Sequence, residues 1–229
     1  MSNIYKSYGD NEIFKNFSFE FKSARVTCLL GESGSGKTTL LNIISGITEY
    51  SGKVDGAEGN ISYIFQSPRL IPSLTVYGNL DYVLHAVIQD KVKRKELIMN
   101  VLNIVELGEA KDKYPRELSG GMAQRLAMAR AFAYPSSLLI MDEPFKALDI
   151  GLKKRLTEAF LTLWEKDKRT VIYVTHDIDE ALLISDRIAV IKGKPASLVY
   201  NKEIELSKRN RDLAGPELTK VRSEIYIHF

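Results

Sequence analysis

The run Gly31-Glu32-Ser33-Gly34-Ser35-Gly36-Lys37-Thr38, with Thr39 next, matches the pattern G-x-x-x-x-G-K-[ST]. Glycines at this spacing let backbone N–H groups curl around phosphate oxygens with no Cβ in the way. A helix starting near Lys37 would aim the positive end of its dipole at the same anion. Lys37 would then hold the β- and γ-phosphates of a nucleoside triphosphate, and the Thr38 hydroxyl would ligate Mg²⁺. A chance glycine-rich turn is the competing explanation. The context argues against it: an apolar strand, Val26-Thr27-Cys28-Leu29-Leu30, precedes the loop, and a helix-like stretch, Lys37–Ser45, follows it and stops at Gly46.

A second candidate lies far along the chain, where the apolar run Leu138-Leu139-Ile140-Met141 ends in Asp142-Glu143. Ligands of parallel sheets sit at the carboxyl ends of strands, the same edge that carries the glycine-rich loop. Asp142 suits Mg²⁺, directly or through water, and Glu143 suits the orientation and deprotonation of an attacking water. Two carboxylates at a strand end also fit a solvated loop, and Pro144 argues against that only by fixing the turn.

The elements that must position these residues read as an α/β fold. Phe17, Phe19 and Phe21 alternate with polar residues, as in a half-buried antiparallel strand. Short strands are expected near Lys53-Val54 and at Ile61–Phe65, then at Ser137–Met141, Thr170–Thr175, Arg187–Ile191 and Ser197–Tyr200. Leu152, Leu156, Phe160, Leu163 and Trp164 recur at helical spacing. Apolar strands alternating with amphipathic helices indicate a covered, mainly parallel sheet. The expected organisation is one domain over 1–229, with an α/β core from 1–75 and 134–229 and a helical insertion at about 76–133.

Composition bounds the function. The 229 residues are 45% hydrophobic and 27% charged, ordinary for a globular chain, and the net charge of +3 is too small to argue for nucleic acid as the main partner. The single cysteine, Cys28, lies in an apolar run and is expected to be a buried thiol in a reducing compartment. No membrane span or secretory leader is evident, so a cytoplasmic location is expected, with any membrane association made through a partner. The basic runs Lys91–Lys95 and Lys208–Arg211 are expected to be solvated faces.

The stretch Leu118-Ser119-Gly120-Gly121-Met122-Ala123-Gln124-Arg125 resembles the signature motif of ATP-binding cassette (ABC) ATPases, a class with a P-loop NTPase core, a small antiparallel β-subdomain and an inserted helical subdomain. A serine hydroxyl and glycine N–H groups at a helix start make a second anion site, although Ser-Gly-Gly alone supports only a capped helix. The resemblance implies that Ser119, Gly120 and Gly121 bind the γ-phosphate of ATP held by a second subunit, so that two chains sandwich two nucleotides. It further implies that Tyr8 stacks on adenine, with Tyr5 as the rival, and that Gln66 ligates Mg²⁺ and senses the γ-phosphate. Ala147-Leu148-Asp149 resembles the loop that communicates across the dimer, and His176 the histidine that contacts the γ-phosphate and braces the catalytic water. His85 and His228 lack such context.

The segment Phe65–Val76 is similar to importers of the nitrate, sulfonate and taurine group, and the tail Arg209–Glu224 loosely so. The implied partners are a second ATPase subunit, a homodimer rather than a heterodimer, transmembrane permease subunits and an extracytoplasmic solute-binding protein. The implied place is the inner face of the cell membrane. Three departures stand out. Lys146 occupies a position that is usually serine, Met122 replaces a commoner glutamine, and only 29 positions separate Lys37 from Gln66, which implies a trimmed β-subdomain. Two rival classes are a non-transport cassette and a different P-loop enzyme. A non-transport cassette ATPase acting on a soluble assembly would share all the nucleotide chemistry. A GTPase would need an aspartate where Ile204 follows Asn201-Lys202-Glu203, and a kinase would leave Ser119–Gly121 and His176 unexplained.

Overall fold

The computed structural model describes residues 1–146 and 148–229. Ala147, in the expected cross-dimer loop, lies outside the described residues. A six-stranded sheet runs in the order β5-β6-β7-β3-β8-β9, formed by β3 (Val26–Leu30), β5 (Ile61–Ile64), β6 (Leu138–Asp142), β7 (Thr170–Val174), β8 (Arg187–Lys192) and β9 (Ser197–Glu203). Its pairings are parallel from β5 through β8, and β9 closes the edge antiparallel to β8. A three-stranded antiparallel sheet, β2-β1-β4, is built from β1 (Ser2–Tyr8), β2 (Asn11–Phe17) and β4 (Ser51–Lys53). The α/β reading, with a mainly parallel sheet and a small antiparallel one, holds.

The central strands are apolar throughout because both faces are covered. Val26, Cys28 and Leu30 of β3 join Leu139, Met141, Val171 and Tyr173 in one core. Leu29 points the other way and packs with Leu138, Ile140, Ile172 and Val174. The second core also takes Phe14 and Phe17 of the antiparallel sheet and Leu40, Leu41 and Ile44 of α1 (Lys37–Ile44). Cys28 is fully buried, as expected, and burial pushes its thiol well above the ordinary range. Helix α1 closes with bonds from Gly46 N to Ile43 O and Ile47 N to Asn42 O, so Gly46 is its stop.

Helices α2 (Val76–His85), α3 (Lys91–Ile104) and α4 (Gly120–Ala133) fall between β5 and β6, which are neighbours in the sheet. The helical middle is therefore an insertion between two adjacent strands. Side chains of Thr75, Asp90 and Ser119 accept the first free N–H groups of these helices. Then follow α5 (Ile150–Lys166), α6 (Ile178–Ile184) and α7 (Pro216–His228). No helix among the described residues is long and apolar enough to cross a membrane.

Two expectations need correction. The first strand of the Phe17–Phe21 segment ends at Phe17; Phe19 is still buried and trades main-chain hydrogen bonds with Met1, but no ladder continues. The basic runs are not simply solvated. Arg94 is buried and donates to Asp81 Oδ1 and to the Ile88 carbonyl, both at 2.6 Å. Lys208 pairs with Asp186, and burial pushes its ammonium down to about 8; Arg211 closes the end of α6 by donating to Leu182 O and Ser185 O at 2.7 Å. In both runs a cation satisfies a carboxylate or main-chain carbonyls outside the run itself, 6 to 29 positions away. The tail is also ordered: Leu218, Val221 and Ile225 of α7 are buried against the larger core.

Arg169, just before β7, donates to the carbonyls of Ala131, Phe132 and Tyr134 at the end of α4, to Ser136 Oγ and to Asp167. It locks the end of the helix that begins with Ser119 onto the sheet. Replacing Arg169 with Met leaves those acceptors unpaired, at a cost of about 3 kcal/mol. The expected outcome is a fall in the melting temperature of roughly 6–12 °C by calorimetry.

Candidate functional site

The glycine-rich loop joins β3 to α1, as required. Gly36 has φ 90°, and a Cβ there would stand 3.0 Å from Ile13 Cγ2 and Phe14 Cζ, so the loop is pressed against β2 and only glycine fits. Lys37 is buried, its ammonium held by the carbonyls of Gly31 (2.7 Å) and Glu32 (2.8 Å) and near Ser35 Oγ (3.4 Å). Burial pushes the Lys37 ammonium down, while Glu143 and Asp142 pull it back up. The loop turns carbonyl oxygens inward on this cation, and Ser35 N–H bonds Glu32 O at 3.2 Å within the turn.

A cleft of about 310 Å³ is lined by the loop (Ser33, Gly34, Gly36, Lys37, Thr38, Thr39), by Asp142 and Glu143, by Tyr8, Asn11 and Ile13 of the antiparallel sheet, and by Lys194. Thr38 Oγ1 lies 3.5 Å from Asp142 Oδ2. Burial and the charge of Glu143 push the Asp142 carboxyl up, against Lys37, Thr38 and Tyr63. A hydroxyl and a carboxylate meeting beside a phosphate loop form an all-oxygen donor pair, which fits a hard cation such as Mg²⁺.

Glu143 sits just past the end of β6 with φ 45°, the left-handed region that non-glycine residues avoid. Its N–H bonds Val174 O at 2.8 Å, which fixes the turn to β7. The next strand end presents His176, whose Nδ1 lies 3.5 Å from Glu143 Oε2. Burial raises the Glu143 carboxyl, but Lys146, His176 and Lys37 more than offset it, so the group ends below the usual carboxylate range. Asp177 caps α6 and pairs with Lys153, which also reaches the buried Glu180, and Thr175 Oγ1 donates to Glu180. Those contacts hold both chain neighbours of His176.

Other expected residues lie outside the cleft of this chain. Ser119 accepts from Met122 N at 3.3 Å as the cap of α4, and Gly120 faces open space. Gly121 is a close approach: a Cβ would stand 2.4 Å from Leu152 Cδ2 on α5. Asp149 caps α5 through Leu152 N. The start of α4 and the segment 148–152 are thus packed together, away from the glycine-rich loop. Gln66 is exposed and does not line the cleft. Of the two tyrosines, Tyr8 lines it and Tyr5 does not. Asn201 and Lys202 lie within β9, where they pair with Arg187 and Glu224.

Sequence reasoning missed two residues. Tyr63 of β5 brings its hydroxyl to 3.5 Å from Asp142 Oδ2 and stacks on Phe65, just past the strand end, at 4.1 Å. Period-2 spacing on that strand was the available signal. Lys194 reaches the cleft from the β8–β9 hairpin, which spacing does not signal. Lys146, singled out in the sequence as a departure, meets Glu143 at 2.6 Å.

Comparison with known proteins gives a consistent picture. The family model for "ABC transporter" matches residues 14–146. The aliphatic sulfonates import ATP-binding protein SsuB of Bacillus subtilis (strain 168) is 38% identical over 229 residues, covering 96% of this chain and 88% of its own. SsuB 1 of Pseudomonas savastanoi pv. phaseolicola is 34% identical over 220 residues, covering 96% and 90%. A dimeric structure of the ATP-binding cassette MJ0796 in a post-hydrolysis state, bound to ADP and Pi, is similar with a TM-score of 0.75 at 28% identity, covering 90% of this chain and 98% of that one.

The left-handed backbone at Glu143 generates a stability prediction that is independent of activity. Glycine relieves the strain and alanine does not. Glu143→Gly is expected to melt roughly 1–3 °C above Glu143→Ala, an advantage of about 0.5–1 kcal/mol.

Proposed function

The chain belongs to the ABC transporter family, and on that premise we propose that it is the ATP-hydrolysing subunit of an importer for a small anionic organic solute. The observation that carries the chemistry is the meeting of Lys37, Asp142 and Glu143 in one cleft at the carboxyl ends of β3 and β6. The sulfonate importers named among its relatives support the solute class. The ADP and Pi in the similar cassette support hydrolysis.

In this reading Tyr8 stacks on the adenine, the N–H groups of the Ser33–Thr39 loop cradle the phosphates, and Lys37 turns from the loop carbonyls to the β- and γ-phosphate oxygens. Thr38 and Asp142 would hold Mg²⁺, joined by Gln66 if it reaches the cleft, and such an ion would supply neutralising charge to the phosphates. Glu143 takes a proton from water as its oxygen attacks the γ-phosphorus. The bond to the β-phosphate oxygen breaks, and ADP and inorganic phosphate leave. His176, 3.5 Å from Glu143, braces the water. Ser119, Gly120 and Gly121 act on ATP held by a second copy of this chain, and Asp149 on the contact between copies. A homodimer, permease subunits and a solute-binding protein complete the proposed assembly at the inner face of the membrane.

General-base catalysis is worth about 10²–10⁴-fold, so Glu143→Gln is expected to bind ATP and to hydrolyse it slower by that factor. The same variant, held with ATP and Mg²⁺ and mixed with detergent-solubilised membranes of the source cell, is expected to retain a multi-spanning membrane protein, identified by mass spectrometry. Retention of soluble proteins alone, with ATP binding intact, would leave the ATPase standing and remove the transport claim.

A further inference from the structure

The turn that carries Glu143 ends in a residue whose role the ATPase reading leaves open. Lys146 Nζ lies 2.6 Å from Glu143 Oε2, and that oxygen is sealed from solvent. The alignment is too poor for a good hydrogen bond, so the contact is an ion pair between a half-exposed ammonium and a carboxylate that is only 18% exposed.

The reach of Lys146 is fixed by its surroundings. Lys146 N bonds Glu143 O at 3.2 Å, closing the turn. Phe145 between them is buried against Tyr173, and the buried Gln124 of α4 donates to Pro144 O at 2.6 Å. The backbone from 143 to 146 is therefore held from two sides. The Lys146 side chain reaches back from this held backbone to Glu143 and is itself 43% exposed.

We propose that Lys146 is a positioning residue that restrains hydrolysis: it holds the Glu143 carboxylate in an ion pair that must open before Glu143 can take a proton from water. This rests on the assignment of Glu143 as the base. The restraint acts by occupying Oε2 and fixing the side-chain rotamer, so it lowers turnover without touching the nucleotide. It also gives a physical role to the cation found where the family pattern has serine.

The test uses the full chain with Lys146→Met, Lys146→Arg and Glu143→Gln. Steady-state ATP turnover of Lys146→Met is expected to rise about two- to fivefold in kcat with KM unchanged within twofold, the scale of a partly exposed ion pair. Lys146→Arg is expected to stay at the wild-type rate. A nucleotide-free readout accompanies it: Lys146→Met is expected to lower the melting temperature by about 1–2 °C, and this loss should vanish in a Glu143→Ala background. Unchanged or lower kcat in Lys146→Met, or a melting loss that persists without Glu143, overturns the proposal. Slow turnover by Glu143→Gln alongside such a result spares the base assignment. Wild-type turnover by Glu143→Gln removes both.

Discussion

One register holds the site together. Val174 of β7 pairs with Leu29 of β3 on one side and with Asp142 of β6 on the other. Its carbonyl accepts the N–H of Glu143 at 2.8 Å, and Thr175 N–H reaches back to Leu29 O at 3.3 Å. Three strand ends are thereby levelled: one opens into the glycine-rich loop, one into Asp142-Glu143, one into His176. A slip of one residue in either pairing would exchange the side chains that the slipped strand gives to the two cores and misplace the charges by a full residue rise. The buried valines, isoleucines and leucines of β3, β6 and β7 make that slip prohibitive, so the hydrophobic core sets the geometry of the charged site.

Opposed charges confined to one edge must also be kept from collapsing onto one another. Lys37 is held by loop carbonyls and does not close on the carboxylates, Asp142 is balanced by Thr38 and Tyr63, and Glu143 is engaged by Lys146 and His176. Each interaction is one that a phosphate or a water could displace. Residues with a proposed role on a second copy show the same economy: Ser119 and Asp149 already serve as helix caps, and Gly121 already admits Leu152. Their structural duties explain why α4 and α5 begin where they do, and leave Gly120 facing open space.

Much of this was legible beforehand because it is local. Continuous apolar runs marked the covered strands, and the loop and the Asp142-Glu143 pair are contiguous in sequence. What was hidden is long-range pairing. Nothing near Arg94 announces Asp81 and Ile88, nor does anything near Lys208 announce Asp186, so both runs look solvated in isolation. Helix α7 has only a narrow buried stripe, Leu218, Val221 and Ile225, too weak a period to stand out. Lys194 enters the cleft through a hairpin, and Tyr63 reaches Asp142 through a strand register; spacing from the glycine-rich loop encodes neither.

In the proposed reading the phosphate-binding loop and the Ser119–Gly121 helix start lie apart in one subunit, so hydrolysis needs two copies. Light scattering of the Glu143→Gln chain with and without ATP and Mg²⁺ tests it most directly. The account predicts the subunit mass without nucleotide and twice that mass with ATP, reverting with ADP. A chain that binds ATP to saturation and stays at the subunit mass, across concentrations well above its nucleotide affinity, would contradict it.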